Sequence, residues 1–220
     1  MSDIKLYNMD CLEILKSMPD KSIDLCLTDP PYGIDVIKKT FNHKNSKPGK
    51  CLAHKTYWQD EEWDKKPITE EYIREMLRVS KFQIIWGGQY YLNILGNCRG
   101  FLIWDKKNDG CDQASCEMAW NNLGTSNRVF RHLWRGMLQE DMSNKEFKWH
   151  PTMKPLNLMK WCIDKCPEIK TIFDPFMGSG TTGVACVELR KDFIGIEISP
   201  KYFEIAKKRI NEVSTQTSLI

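Results

Sequence analysis

The sequence predicts an α/β fold: a doubly wound, mostly parallel sheet with helices on both faces, in one domain spanning 1–220. Three observations carry that reading. Short apolar runs of strand length alternate along the chain with segments whose apolar residues recur at helical spacing. Two of those runs, Ile23 to Leu27 and Thr171 to Phe173, lead directly into unusual turns. These are Thr28-Asp29-Pro30-Pro31-Tyr32-Gly33 and, far along the chain, Asp174-Pro175-Phe176-Met177-Gly178-Ser179-Gly180-Thr181-Thr182-Gly183. Finally, 220 residues, 41% of them hydrophobic, are enough to bury one sizeable core.

Taken in order, Ile4 to Tyr7 reads as a strand ended by Asn8-Met9-Asp10. From Cys11 to Met18, Leu12, Ile14, Leu15 and Met18 fall at helical spacing, with Asp10 as the N-cap. Pro19 to Ser22 is a turn before the run from Ile23. Ile68-Thr69-Glu70-Glu71 has the capping chemistry of a helix start, and Tyr72, Ile73, Met76, Leu77 and Val79 supply its apolar face. Phe82 to Trp86 is a strand broken by Gly87-Gly88, and Tyr90 to Leu95 a short helical piece. Phe101 to Trp104 is another strand, and Met118 to Trp120 one more, expected at the sheet edge. Pro155 opens a helix. The glycine turn opens another, to about Leu189. Phe193 to Ile198 is a strand with Glu197 near its end, and Ser199-Pro200 starts the last helix, with Thr215 to Ile220 a frayed tail.

Bulk properties exclude some classes of function. No apolar run is long enough to span a bilayer, and Met1-Ser2-Asp3 begins no secretory signal, so a cytoplasmic protein without a membrane partner is expected. A net charge of +3 identifies no partner by itself. Nine cysteines without paired Cys-x-x-Cys knuckles read as reduced, mostly buried thiols, and no metal site is expected. Local basic clusters are more telling. Lys38, Lys39, Lys44 and Lys47 lie in an acid-free stretch, and Arg128, Arg131 and Arg135 alternate with Phe130, His132 and Trp134. Each cluster fits either a solvated surface or a groove that pairs with phosphates and stacks on bases.

The two turns carry the chemistry. In Asp29-Pro30-Pro31-Tyr32, consecutive prolines fix the backbone, so the Asp29 carboxylate and the Pro30 carbonyl are preorganised acceptors beside the flat face of Tyr32. Two acceptors aimed at an amine conjugated to a ring favour a pyramidal nitrogen and free its lone pair. In the second turn, Gly178 and Gly180 allow close backbone approach, and Ser179, Thr181 and Thr182 add hydroxyls at a helix start. The turn lacks the Gly-Lys-Ser/Thr ending of a triphosphate loop. Glu197, about twenty residues on, is spaced like the ribose-binding acid of dinucleotide folds, which keeps a nicotinamide enzyme as an alternative.

Together these stretches resemble the signature motifs of S-adenosylmethionine-dependent DNA amino-methyltransferases. Asp29-Pro30-Pro31-Tyr32 is similar to the amine-methylating tetrad and Phe173 to Thr182 to the cofactor loop. His150-Pro151-Thr152-Met153-Lys154-Pro155 resembles a third family motif. The catalytic motif precedes the cofactor motif, the order of the β-type, circularly permuted branch. The resemblance implies a class I, Rossmann-like methyltransferase fold, no metal, and S-adenosylmethionine as methyl donor with S-adenosylhomocysteine as product. It implies a cofactor site of Asp10 and Cys11, His150, Thr152 and Lys154 closing over the methionine carboxylate, Asp174, Pro175, Phe176, Gly178 to Thr182, and Glu197 on the ribose with Ile198 beside it.

The implied substrate is a flipped-out base in double-stranded DNA, adenine N6 by the leading aspartate, with cytosine N4 as the alternative. RNA, a protein glutamine amide, or an inactive nucleic-acid-binding module are further alternatives. Residues 34–66 and 106–149 are candidate DNA-contacting or target-recognition insertions, and Lys38, Lys39, Lys44, Lys47, Arg128, Arg131 and Arg135 candidate DNA contacts. A homodimer, a cognate restriction endonuclease, and a bacterial or phage-infected cell are also implied.

Overall fold

A computed structural model describes residues 2–33, 66–110, 114–135, 138–166 and 168–217. The strands are β1 (Ile4–Tyr7), β2 (Ile23–Thr28), β3 (Ser80–Trp86), β4 (Leu102–Asp105), β5 (Cys116–Asn121), β6 (Arg128–Arg131), β7 (Trp134–Arg135), β8 (Leu138–Gln139), β9 (Thr171–Asp174) and β10 (Asp192–Ile196). The helices are α1 (Cys11–Ser17), α2 (Glu70–Val79), α3 (Leu92–Leu95), α4 (Leu156–Asp164), α5 (Thr181–Glu188) and α6 (Pro200–Thr217).

Eight strands form one sheet in the order β1-β10-β9-β2-β3-β5-β4-β6. From β1 to β3 every pairing is parallel; β5 pairs antiparallel with both β3 and β4, and β6 is parallel to β4. Strands covered on both faces are apolar at successive positions, and their alternation assigns each side chain to a layer. Leu25, Leu27, Trp86 and Ile172 join the core beneath α4, α5 and α6, with Leu158, Val184 and Ala206. Cys26, Ile85 and Phe173 join the core on the other face, with Leu15 of α1 and Ile73 and Met76 of α2.

Several expectations are corrected. The strand around Met118 to Trp120 lies inside the sheet, not at its edge, because β4 turns back to pair beyond it; the edges are β1 and β6. Thr69 takes the N-cap position of α2 without a side-chain cap bond. The helix at Pro155 starts one residue later, with Pro155 as N-cap. Residues 106–149 supply β5 and β6 to the main sheet, and β7 and β8 form a separate two-stranded hairpin. The last helix runs to Thr217, through part of the expected tail.

Five cysteines (Cys11, Cys26, Cys162, Cys166 and Cys186) are buried free thiols, Cys98 is half-buried and Cys116 exposed. Cys51 and Cys111 lie outside the described residues. Among the described residues no cluster of three or more His, Cys, Asp and Glu is arranged to hold a metal, and no helix is long and apolar enough to cross a membrane.

Candidate active site

The sheet brings the two turns together. β2 and β9 are parallel neighbours, with Leu25 opposite Ile172 and Cys26 opposite Phe173. From them the chain winds in opposite directions, β2 towards β3 and β9 towards β10. Such a switch point opens a crevice at the carboxyl ends of the strands, which is where open α/β sheets bind ligands. Thr28, at the end of β2, donates its hydroxyl to Asp174 Oδ1 at the end of β9 over 2.7 Å, although 146 positions separate them. A cavity of about 430 Å³ lies above this junction. Its walls include Asp10, Cys11, Asp29, Pro31, the turn His150 to Lys154, and Asp174 to Ser179, with Thr181, Thr182, Glu197 and Ile198.

On the β9 side the polar groups are satisfied locally. Asp174 is buried and also accepts from Thr182 Oγ1 at 2.7 Å and from the Phe176 amide at 3.1 Å. Burial pushes its pKa up to about 6, against the pull of those hydroxyls. Glu197 accepts from the Gly178 amide at 2.9 Å and the Ser199 amide at 2.8 Å, and burial raises it too to about 6. Gly180 ends the turn with φ +79°, and a Cβ there would come within 2.8 Å of Ala206 Cβ, so the turn seats directly on α6. Arg209 of α6 donates to the Ser179 carbonyl and lies 3.3 Å from Thr181 Oγ1. Asp10 caps α1 through the Leu12 amide at 2.9 Å and accepts from the Tyr72 hydroxyl. Arg209 and Tyr72 were not foreseen, since nothing near them in the chain marks them.

The β2 side is built from remote partners. Asp29 accepts from the Tyr32 hydroxyl on Oδ1 and from Lys154 Nζ on Oδ2. Lys154, only 7% exposed at its side chain, also meets Glu117 Oε2 at 3.0 Å. Its ammonium thus engages the tetrad, whereas the resemblance had it close over a methionine carboxylate. Two carboxylates outweigh the burial that opposes its charge, and its pKa stands above the ordinary lysine value. Burial and Glu117 raise Asp29, and Lys154 opposes them. The Tyr32 ring stacks on Tyr90, centroids 5.0 Å apart, and rests on Gly87; a Cβ there would lie 2.0 Å from the ring. Tyr91 donates its hydroxyl to the Pro31 carbonyl. Pro67 bridges back to Tyr32. Glu117, Tyr90 and Tyr91 were also missed, because their roles exist only once β3 and β5 are paired.

His150 is buried against Tyr202, and burial lowers its pKa to about 3, so the imidazole is neutral. Its Nδ1 takes the Thr152 amide at 3.3 Å and lies 3.0 Å from the Thr152 hydroxyl. Of the two basic clusters, only the arginine one falls on described residues. Lys38, Lys39, Lys44 and Lys47 lie outside the described residues. Arg128 and Arg131 are exposed on the edge strand β6, Arg131 being 3.4 Å from Asp105, and Arg135 is on β7. The aromatics between them turn inward: Trp134 is buried and Phe130 packs on Trp161 at 5.4 Å. This is the amphipathic arrangement, not a row of open stacking faces.

The cavity fits S-adenosylmethionine by its chemistry. A Cβ on Gly178 would meet nothing nearer than the His150 ring at 3.8 Å, so it would project into space left beside the turn. Asp10, Asp174 and Glu197 supply acidic groups for a cationic ligand with ribose hydroxyls, and Phe176 with the 62%-exposed Ile198 an apolar rim for a base. The DNA methylase family model (N6_N4_Mtase) matches residues 105–208. That match covers just under half of the chain. The chain is 28% identical to the type II methyltransferase M.HinfI of Haemophilus influenzae, over 93% of this chain and 67% of that protein. It is 26% identical to the type II methyltransferase M2.LlaDCHI of Lactococcus lactis subsp. cremoris, over 96% and 90%. Among solved structures, the M1.HpyAVI–SAM complex superposes with a TM-score of 0.54 at 25% identity, covering 94% of this chain and 99% of that one. The cytosine-N4-specific PvuII DNA methyltransferase shares the fold, with a TM-score of 0.59 at 15% identity over 98% and 93%. The doubly wound sheet is thus that of a class I DNA methyltransferase, and the M1.HpyAVI neighbour is a complex with SAM.

Proposed function

We infer that the protein methylates adenine N6 of a flipped-out base in double-stranded DNA. The observation that carries this reading is the adjacency of Asp29-Pro30-Pro31-Tyr32 to the glycine turn, across β2 and β9, in a chain whose relatives are type II methyltransferases. The cofactor, when bound, supplies an electrophilic methyl group. Asp10, Cys11, His150, Thr152, Asp174, Pro175, Phe176, Gly178 to Thr182, Glu197 and Ile198 hold it.

Asp29 and the Pro30 carbonyl accept the two hydrogens of the target amine, which pyramidalises the nitrogen and directs its lone pair. Pro31, held by Tyr91, keeps those acceptors in place, and Tyr32, supported by Tyr90 and Gly87, is the platform for the flipped base. Lys154 opposes the burial that raises Asp29 and so favours its ionised, accepting form. Exposed Arg128 and Arg131, with Arg135, Lys38, Lys39, Lys44 and Lys47, are assigned to the DNA backbone, and residues 34–66 and 106–149 to target recognition. We further read the protein as a cytoplasmic, homodimeric partner of a type II restriction endonuclease.

Nucleoside mass spectrometry of DNA from cells expressing the wild type and Asp29→Ala tests the reading. N6-methyladenine is expected with the first and none with the second. N4-methylcytosine would transfer the mechanism to the other base, and neither product would overturn DNA as the substrate.

A further inference from the structure

Glu117 has no counterpart among the expected site residues, yet it is tied to the tetrad. It projects from β5, takes Lys106 on Oε1 at 2.5 Å and Lys154 on Oε2 at 3.0 Å. Lys154 in turn holds Asp29. Charges therefore alternate along Lys106, Glu117, Lys154 and Asp29, with the central ammonium sealed from solvent and weakly screened. Glu117 is not among the described residues lining the cavity.

A lysine has three protons to distribute. Given wholly to Asp29, a buried ammonium neutralises the carboxylate and makes it a poor acceptor for a neutral amine. Taken away, it leaves a buried acid free to protonate, and the resulting hydroxyl donates where an acceptor is needed. Sharing the ammonium between two carboxylates gives the intermediate state. We propose that Glu117 is a positioning residue, which holds Lys154 as a shared counterion and so sets how strongly Asp29 accepts from the target amine. This rests on the methyltransferase reading above. The competing account makes Glu117 a mere structural staple between β5 and the 150–155 turn.

The test is Glu117→Gln, assayed by labelled methyl transfer to duplex plasmid from a methylase-deficient host, with S-adenosylmethionine affinity by calorimetry and thermal unfolding. In the expected result kcat falls by about a hundredfold, as for a reacting group misplaced by a remote change, while cofactor affinity stays within about twofold. In a Lys154→Gln background the same change has no further effect, because Glu117 acts through that lysine. Glu117→Asp, with the carboxylate retracted by one methylene, recovers part of the rate, and it serves as the probe where Glu117→Gln does not fold. An unchanged kcat, equal losses of kcat, affinity and thermal stability, or multiplicative effects of the two substitutions each overturn the proposal. A wild type inactive on this DNA overturns the methyltransferase reading instead.

Discussion

The two sides of the cavity hold their carboxylates by opposite means. On the β9 side, Asp174 and Glu197 are kept by hydroxyls and amides, mostly from their own turn and the next strand. On the β2 side, Asp29 is kept by a lysine 125 positions away, itself shared with Glu117. On the β9 side neutral donors face acids that burial raises to about 6, whereas beside Asp29 a buried cation opposes the burial that raises it. The difference suits the tasks assigned to the two sides. A cofactor site must accept and release a cationic ligand, whereas an amine-polarising acceptor must stay ionised throughout.

The comparison is broken most sharply at Gly87. Gly87→Ala puts a Cβ into the Tyr32 ring and a side chain at φ +64°. The expected outcome is a loss of about a hundredfold in kcat, from displacement of Tyr32, and about 1–2 kcal/mol of stability from the left-handed backbone. Methyl-transfer kinetics and urea unfolding check these, with calorimetric cofactor affinity expected to hold.

Glu197→Gln probes the other side. Cofactor affinity is expected to weaken about tenfold, or about 1.4 kcal/mol. In the wild type, affinity should also fall as pH drops through about 6, where Glu197 takes up a proton and loses an acceptor. Calorimetry between pH 5 and pH 8 should find the Glu197 share of that dependence gone from the variant, leaving the share of Asp174.

The smallest effect is expected at Asp174→Asn. The amide keeps one acceptor, and the Thr182 hydroxyl can turn to accept from the new NH₂, so the cost is about 1 kcal/mol in urea unfolding. Without cofactor, both acids have folded pKa values near 6, above their ordinary 3.8 and 4.5. The stability they contribute is complete below about pH 4 and lost as pH rises through about 6. Asp174→Asn should flatten its share of that slope.

Most of the β9 side was legible in the sequence. Gly178, Gly180, Thr182 and Glu197 lie within a short span, and local bonding connects them. The strands from Ile23, Phe82, Thr171 and Phe193 were legible too, because burial on both faces demands unbroken apolar runs. The place of Met118 to Trp120 was not: a strand's pattern states that it pairs, while its neighbours are chosen by the path of the whole chain.

The same holds for function. From the sequence, Asp29 and Tyr32 were read as an amine-polarising turn, and Asp174 with its glycines as a ligand-binding one. Only the tertiary structure decided that Lys154 faces Asp29, that Glu117 shares it, that Gly87 and Tyr90 support Tyr32, and that Phe130 and Trp134 point inward. Those are contacts between residues far apart in sequence, and the sheet order β9-β2-β3-β5 is what makes them neighbours.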